Sequence, residues 1–198
     1  ALVPLLFIYS PVLLCRWRAS RGELLPPDPV TGKSEPVDSW SYRLSIPGFR
    51  DGASWRGALS LNLKVCALIA IPWVLGYHLY QTHLFGLSPG QGLRPDLAVL
   101  LLYHIFYVAI PEEFFYRGYF QTRLNEVFPR KWLIFGVPMG WGAIIAALMF
   151  AFGHSLVVLK WWHFATFFPG LIFAWMREKT DGVVAGALFH AICNVAVG

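Results

Sequence analysis

The sequence is poor in charged residues. Aspartate, glutamate, lysine and arginine together make up only 14% of the 198 residues, whereas an average soluble domain contains about 25%. Hydrophobic residues make up 57% of the chain. A composition this low in charge argues against a soluble globular domain and indicates that lipid covers much of the protein surface.

Regularly spaced polar residues are also missing from the apolar stretches. A helix needs about 20 mostly apolar residues to cross a bilayer, and an amphipathic soluble helix would show a polar face. The sequence therefore predicts an all-α, polytopic membrane helix bundle of about six transmembrane helices. The last four helices are expected to form a core that carries the polar residues. The six apolar blocks span residues 1–15, 62–81, 97–115, 133–154, 161–176 and 182–197.

Cysteine is scarce and odd in number. Cys15, Cys66 and Cys193 lie in or beside apolar blocks, a pattern that predicts neither a disulfide framework nor a zinc ribbon. We interpret all three as small packing residues. Arg16 follows the first block directly, and that block lacks a basic leader, so we expect an anchored span and not a cleaved signal peptide.

The charge that is present has a marked distribution. The net charge is +5, which in a soluble protein could indicate nucleic-acid binding, but in a membrane protein the placement of lysine and arginine sets the topology. If both termini lie outside, only Arg94 and Lys160 of the 16 basic residues fall on the outer side. We therefore expect an integral membrane protein with both termini outside and no nucleic-acid partner.

Proline and glycine divide the chain into two parts. They are concentrated between residues 16 and 61, where they prevent a long helix, and we interpret this segment as an interfacial loop, with a substrate-gating role as the alternative. The predicted organisation is two N-terminal transmembrane helices with a basic cytoplasmic loop, residues 1–96, followed by a membrane core, residues 97–198. No internal repeat is visible.

Two acidic residues, Glu112 and Glu113, lie inside an apolar block, where ionisable residues are costly and usually functional. Arg117 follows Glu113 by four positions, so the two share a helix face and can pair. Glu112 points about 100° away and lacks that partner. Apolar surroundings and a neighbouring carboxylate make such a group hold its proton more tightly, which suits a general base near neutral pH. For Glu113 and Arg117, a buried salt bridge that fixes packing is the alternative.

Three more polar residues lie deep in apolar blocks. His154 ends the run from Phe150, and His190 and Asn194 lie four positions apart on one helix face. A helix rises about 1.5 Å per residue, so Glu113, His190 and Asn194 reach similar depths. His154 joins them only if residues 132–137 run along the interface or if its helix is strongly tilted.

Together these polar residues can satisfy one another in a shared pocket, although each would be costly alone in lipid. The remaining histidines show no matching pattern of partners, and we interpret them as interfacial or packing residues. They are His78, His83, His104 and His163.

Three short motifs combine these residues. They have the forms EExxxR from Glu112 to Arg117, FxxxH from Phe150 to His154, and HxxxN from His190 to Asn194. In this order on successive apolar helices, they resemble the CPBP family of CAAX-prenyl-endopeptidases and bacteriocin-processing membrane proteins. The resemblance covers about residues 97–197.

The resemblance implies a glutamic intramembrane peptidase that needs no cofactor. By position, Glu112 would activate water with help from His154, Glu113 and Arg117 would order the site, and His190 and Asn194 would stabilise the oxyanion. It also implies a bacterial plasma-membrane enzyme, in contact with lipid, that cuts near the C-terminus of a membrane-associated or lipidated protein. Family members include prenyl-protein processors, immunity proteins and processors of sorting tails such as the myxosortases, to which a compact chain of this kind is similar.

Other interpretations stay open. Glu112, His154 and His190 could ligate zinc, because two histidines and a glutamate do so in metallopeptidases, although the motif HExxH is missing. The cluster could also relay protons or ions in a small transporter, or belong to an immunity protein that no longer cleaves. Neither substrate nor oligomeric state follows from the sequence.

Overall fold

The computed structural model describes residues 2–25, 27, 32–34, 36, 37, 55–86 and 96–197. Its described part contains six helices and one small hairpin, so the predicted all-α membrane bundle is confirmed. The helices are α1 (Leu2–Ser20), α2 (Trp55–Phe85), α3 (Leu97–Val127), α4 (Trp141–Val158), α5 (Phe167–Thr180) and α6 (Val184–Val197). Strands β1 (Lys131–Ile134) and β2 (Val137–Gly140) form the hairpin, and a 3₁₀ turn (Trp161–Thr166) precedes α5.

Four of the helices, α1 to α4, are long and apolar enough to cross a membrane. Helices α5 and α6 have 14 residues each, fewer than the roughly 20 that a full crossing needs. The six apolar blocks therefore correspond to six helices, but two of these helices fall short of the predicted span length.

The fourth predicted block was wrong at its start. Residues 133–140 do not begin the helix, because β1 and β2 pair antiparallel with Ile134 opposite Val137. The two loop residues between them, Phe135 and Gly136, have φ angles of 49° and 73°. A two-residue hairpin loop with a type I′ turn requires positive φ at both positions. Since α4 begins only at Trp141 and ends at Val158, His154 lies about 20 Å along it, one turn before its C-terminal end.

Other boundaries also differ from the sequence prediction. Helix α1 continues to Ser20 and α2 already begins at Trp55, so both extend into the segment predicted as a loop from 16 to 61. The central part of that segment, residues 38–54, lies outside the described residues. In the fifth block, the helix proper begins at Phe167 because the preceding residues form the 3₁₀ turn.

Helix α5 packs on α4 and on α6, and all three helices pack on the middle of α3. Their shared core contains Phe150, Phe173 and Phe189, each 2% exposed or less. Helix α2 packs on α5 and α6, and α1 packs on α3, where Phe7 stacks on Phe115 with ring centroids 5.0 Å apart. The N-terminal helices thus flank the core that carries the polar motifs.

Helix α3 is not a regular α-helix. It contains two π-helical segments, His104–Ala109 and Phe114–Gln121, separated by one α-helical turn, Ile110–Glu113, that holds both glutamates. A π segment turns the chain less per residue than an α-helix and is frequent at functional sites. The two segments therefore set the directions in which the side chains of α3 point into the core.

Candidate active site

The floor of the site is a buried ion pair on α3. Nε of Arg117 lies 3.4 Å from Oε2 of Glu113, and both side chains are 0% exposed. The guanidinium carbon of Arg117 also lies 5.2 Å from the ring centroid of Phe150, within the range of cation–π attraction. The pairing expected from the spacing of four residues is thus present, and it holds the Glu113 carboxylate in a fixed position.

Helix α6 contributes His190, which is 3% exposed at its side chain. Its Nδ1 lies 3.2 Å from Oε1 of Glu113, so a ring N–H donates to that carboxylate. The ring of Phe173 stacks on the imidazole at 4.9 Å with an interplanar angle of 16°. Glu113 and Phe173 together fix the ring, and they leave its Nε2 facing Glu112, where the distance to Oε2 is 3.8 Å.

Helix α4 contributes His154 on the other side of Glu112. Nε2 of His154 lies 3.8 Å from Oε2 of Glu112, and Nδ1 lies 3.0 Å from the carbonyl oxygen of Phe150. Because a carbonyl can only accept, Nδ1 carries the hydrogen of that bond. In the neutral imidazole, Nε2 then has a free lone pair directed at the Glu112 carboxylate.

The exposed side of the site is at Glu112 and His154. The Glu112 side chain is 17% exposed and that of His154 is 30% exposed, in contrast to the fully buried Glu113. Oε2 of Glu112 is nevertheless buried, and no donor from the described residues reaches it. A buried carboxylate oxygen without a donor is costly, so this atom is available to a ligand that can donate a hydrogen bond.

Asn194 lies one turn beyond His190 on α6. Its Nδ2 lies 3.4 Å from Nδ1 of His104 on α3, so the amide donates to the ring. His104, for which the sequence indicated only an interfacial or packing role, lies beside Asn194. No spacing pattern could have revealed this contact, because it joins residues 90 positions apart through a π-helical segment.

All six predicted site residues lie on helices that meet in the core. Contacts of 3.8 Å or less link five of them, namely Glu112, Glu113, Arg117, His154 and His190. Asn194 is held through His104 and not through these five. Three helices therefore contribute to one polar cluster, and their roles in catalysis stay a prediction.

The described residues contain no group of three or more histidine, cysteine, aspartate or glutamate side chains arranged to hold a metal ion. The three cysteines are buried, and none of them forms a disulfide with another described residue. Cys15 is 1% exposed, Cys66 6% and Cys193 9%, in agreement with their interpretation as packing residues.

A comparison with known families matches residues 94–196 to the family described as Type II CAAX prenyl endopeptidase Rce1-like. The matched region covers just over half of the chain and includes all of α3 to α6 except the C-terminal end of α6. The chain belongs to this family. Membership confirms the resemblance that the three motifs indicated, and it assigns the chain to the CAAX-type intramembrane endopeptidases.

No curated protein and no solved structure matches the chain. Family membership, together with the four membrane-length helices, makes this an integral membrane protein with a protein or peptide substrate. The match carries no indication of the myxosortase-like subtype.

Proposed function

We propose that this protein hydrolyses a peptide bond near the C-terminus of a membrane-associated protein, with Glu112 as the general base that activates water. One observation carries the proposal. Oε2 of Glu112 lies 3.8 Å from Nε2 of both His154 and His190, next to the fully buried pair of Glu113 and Arg117. Glu113 is unsuited to this role because Arg117 and His190 already engage its carboxylate.

The geometry between Glu112 and His154 suits a water molecule. Oε2 of Glu112 and Nε2 of His154 lie 3.8 Å apart. Both are hydrogen-bond acceptors when the imidazole is neutral, so they do not bond to each other directly. A water molecule whose oxygen lies about 2.8 Å from each atom can donate one hydrogen bond to Glu112 and one to His154. The same water oxygen then presents a lone pair toward the open side, where a substrate carbonyl would approach.

The reaction balances with these groups alone. The water oxygen bonds to the scissile carbonyl carbon while one proton passes to the Glu112 carboxylate, and the carbonyl becomes a tetrahedral oxyanion. As the carbon–nitrogen bond breaks, the proton on Glu112 passes to the departing amine. His154 accepts the second hydrogen of the water as a hydrogen bond and so orients the attacking oxygen, while the proton transfer to Glu112 is general base catalysis worth about 10²–10⁴-fold in rate.

The oxyanion is assigned to His190 and Asn194. Since Nδ1 of His190 donates to Glu113, Nε2 donates as well only when the imidazole is cationic, and the buried Glu113 carboxylate is the counter-ion that this cation needs. Arg117 holds Glu113 from the other side. Donors fixed in a low-dielectric site are the arrangement that stabilises developing negative charge most.

The proposed substrate is a protein whose C-terminal tail is membrane-associated or lipidated. The apolar, membrane-length helices α1 to α4 and the partly exposed side chain of His154 suit a tail that enters from the bilayer. The family description supports a prenylated CAAX tail. We further propose a bacterial plasma-membrane location with both termini outside, and a division of the chain at residue 96.

The decisive test compares C-terminal peptides from cells that express the wild type or Glu112→Gln. The variant keeps the shape of the side chain but cannot accept a proton, so processed C-termini should fall by at least about 10²-fold at equal membrane abundance. Glu126→Gln is the matched control, because it removes a carboxylate from the same helix outside the site. Full processing by Glu112→Gln would refute the glutamate mechanism.

A chelator distinguishes the glutamate mechanism from zinc catalysis. Purified protein should cleave a farnesylated CAAX peptide at an unchanged rate after treatment with 1,10-phenanthroline. Loss of activity that added zinc restores would favour Glu112, His154 and His190 as metal ligands and would overturn the proposed role of Glu112 as a base.

A further inference from the structure

We propose that His104 is a positioning residue that fixes the orientation of the Asn194 carboxamide for oxyanion binding. The inference rests on the proposed function, and it assigns a role to a histidine outside the three motifs. Its basis is the contact between Nδ2 of Asn194 and Nδ1 of His104 at 3.4 Å. The two helices that carry these residues, α3 and α6, also carry Glu112 and His190, which lie 3.8 Å apart.

An asparagine needs such a partner to act as an oxyanion donor. Rotation of the carboxamide by half a turn exchanges its NH₂ group and its oxygen at almost no steric cost, and the oxygen would repel a developing negative charge. His104 accepts one of the two hydrogens on Nδ2, which places the nitrogen on the His104 side. The second hydrogen of that NH₂ group stays free for the oxyanion.

The backbone explains how a residue eight positions before Glu112 reaches the site. Around a regular α-helix, His104 and Glu112 would point about 80° apart. The π segment His104–Ala109 turns less per residue, so it narrows that angle and brings His104 toward the face that carries Glu112. The ring of Tyr103 meets the His104 ring edge-on at 5.4 Å and limits its rotation.

Three substitutions separate a positioning role from simple packing. His104→Asn keeps a polar atom at the position of Nδ1, whereas His104→Gln moves its polar atoms to the position of Nε2, and His104→Leu removes both. The assay is cleavage of a farnesylated CAAX peptide by purified protein, with His78→Leu as the control because His78 lies on the exposed face of α2. His78→Leu should behave as wild type.

We expect His104→Leu to lower kcat by roughly 10–100-fold. The loss should be smaller than the roughly 10²–10³-fold cost of removing an oxyanion donor, because the variant keeps the Asn194 carboxamide and removes only the group that positions it. KM should stay within about twofold, because the charge appears only in the transition state. His104→Asn should recover most of kcat and His104→Gln should not. A His104→Leu enzyme with wild-type kcat, or equal losses in the Asn and Gln variants, would overturn the positioning role.

A double-mutant cycle tests the coupling directly. In an Asn194→Ala background, His104→Leu should change kcat by less than about twofold, because the group that His104 positions is already gone. An equal loss in both backgrounds would show that His104 acts independently of Asn194. If the wild type cannot cleave the peptide, or if Glu112→Gln and Asn194→Ala are fully active, the proposed function itself fails.

A spectroscopic measurement needs no substrate. In ¹⁵N spectra of histidine-labelled protein, Nδ1 of His104 should appear as an unprotonated acceptor, and its resonance should move in Asn194→Ala. Assignment follows from the resonance lost in His104→Asn. A resonance that Asn194→Ala leaves unchanged would contradict the contact on which the inference rests.

Discussion

Two adjacent glutamates of one helix have different chemical environments. Glu113 faces Arg117 and His190 and is completely buried. Glu112 lies one residue earlier, about 100° away around the helix. Its Oε2 lies 3.8 Å from the rings of His154 and His190 and receives no hydrogen bond from the part of the chain that the structure describes. A single step along the chain thus separates a carboxylate held by an ion pair from one that Arg117 does not reach, and we propose that only the latter takes a proton.

Asn194→Ala tests the oxyanion role at the scale of one residue. We expect turnover to fall by roughly 10²–10³-fold, the usual cost of losing one such donor, with little change in KM. Asn194→Asp should be at least as damaging, since it can place a negative charge beside the developing one. Rates at several peptide concentrations provide the measurement.

The neighbouring Cys193→Ala is the control for that series, because it shortens a side chain on the same turn and no thiol takes part in the proposed reaction. It should keep wild-type turnover. If Asn194→Ala mainly raises KM, or if Asn194→Asp is fully active, Asn194 contacts substrate or packs, and does not bind the oxyanion.

At the scale of elements, α6 depends on α2. Oδ1 of Asn62, a residue of α2 that is 0% exposed, accepts a hydrogen bond of 3.0 Å from the backbone nitrogen of Ala185 in the first turn of α6. The first backbone N–H groups of a helix lack partners within it, so Asn62 satisfies one of them across the helix interface. The helix that carries His190 and Asn194 is thereby fixed to the N-terminal part of the chain.

Asn62→Leu should destabilise the protein, because it leaves the buried N–H of Ala185 without an acceptor, at a cost of about 1–3 kcal/mol. Asn62→Asp keeps the acceptor and should lose less. The measurement is Tm in detergent, which we expect to fall by about 2–4 °C for each kcal/mol. Leu63→Ala, at a half-exposed neighbour, is the control, and an unchanged Tm for Asn62→Leu would contradict this role.

Helix α6 also has to approach α3 closely. A Cβ atom added at Gly186 would lie 3.1 Å from Oε2 of Glu113, so a larger residue there would press on the carboxylate that His190 and Arg117 hold. Glycine at this position allows the two helices to bring their polar residues within hydrogen-bond distance.

At the scale of the whole molecule, charged residues gather where α1, α3 and α5 end. Nη2 of Arg18 on α1 lies 3.7 Å from Oε2 of Glu126 on α3. Near the end of α5, Oε1 of Glu178 accepts from Asn125 on α3 at 2.8 Å, and its Oε2 pairs with Lys131 at 3.2 Å. These contacts bring the ends of the odd-numbered helices to one side, as expected if α1, α3 and α5 all run toward a basic cytoplasmic surface.

Cysteine labelling tests the orientation of the whole bundle. With Cys15, Cys66 and Cys193 changed to alanine, a membrane-impermeant maleimide added outside intact cells should label Gln91→Cys but not Ser34→Cys. The reason is the retention of basic segments on the cytoplasmic side. After the cells are lysed, both should react, and labelling of Ser34→Cys alone in intact cells would reverse the proposed topology.

The membrane bundle, the family and the candidate site residues could all be predicted from local sequence patterns. Apolar length and the i,i+4 spacing of Glu113 with Arg117, and of His190 with Asn194, are local properties of a chain that forms helices. They therefore identify which residues a helix presents on one face without knowledge of its neighbours.

The sequence could not predict how those faces meet. The hairpin between α3 and α4, the π segments of α3 and the contacts made by His104 and Asn62 depend on packing between helices far apart in sequence. Apolar composition does not encode them, because a tryptophan or leucine suits a strand, a 3₁₀ turn or a membrane helix equally well. A buried polar atom finds its partner only when two helices meet, and that partner decides its chemistry.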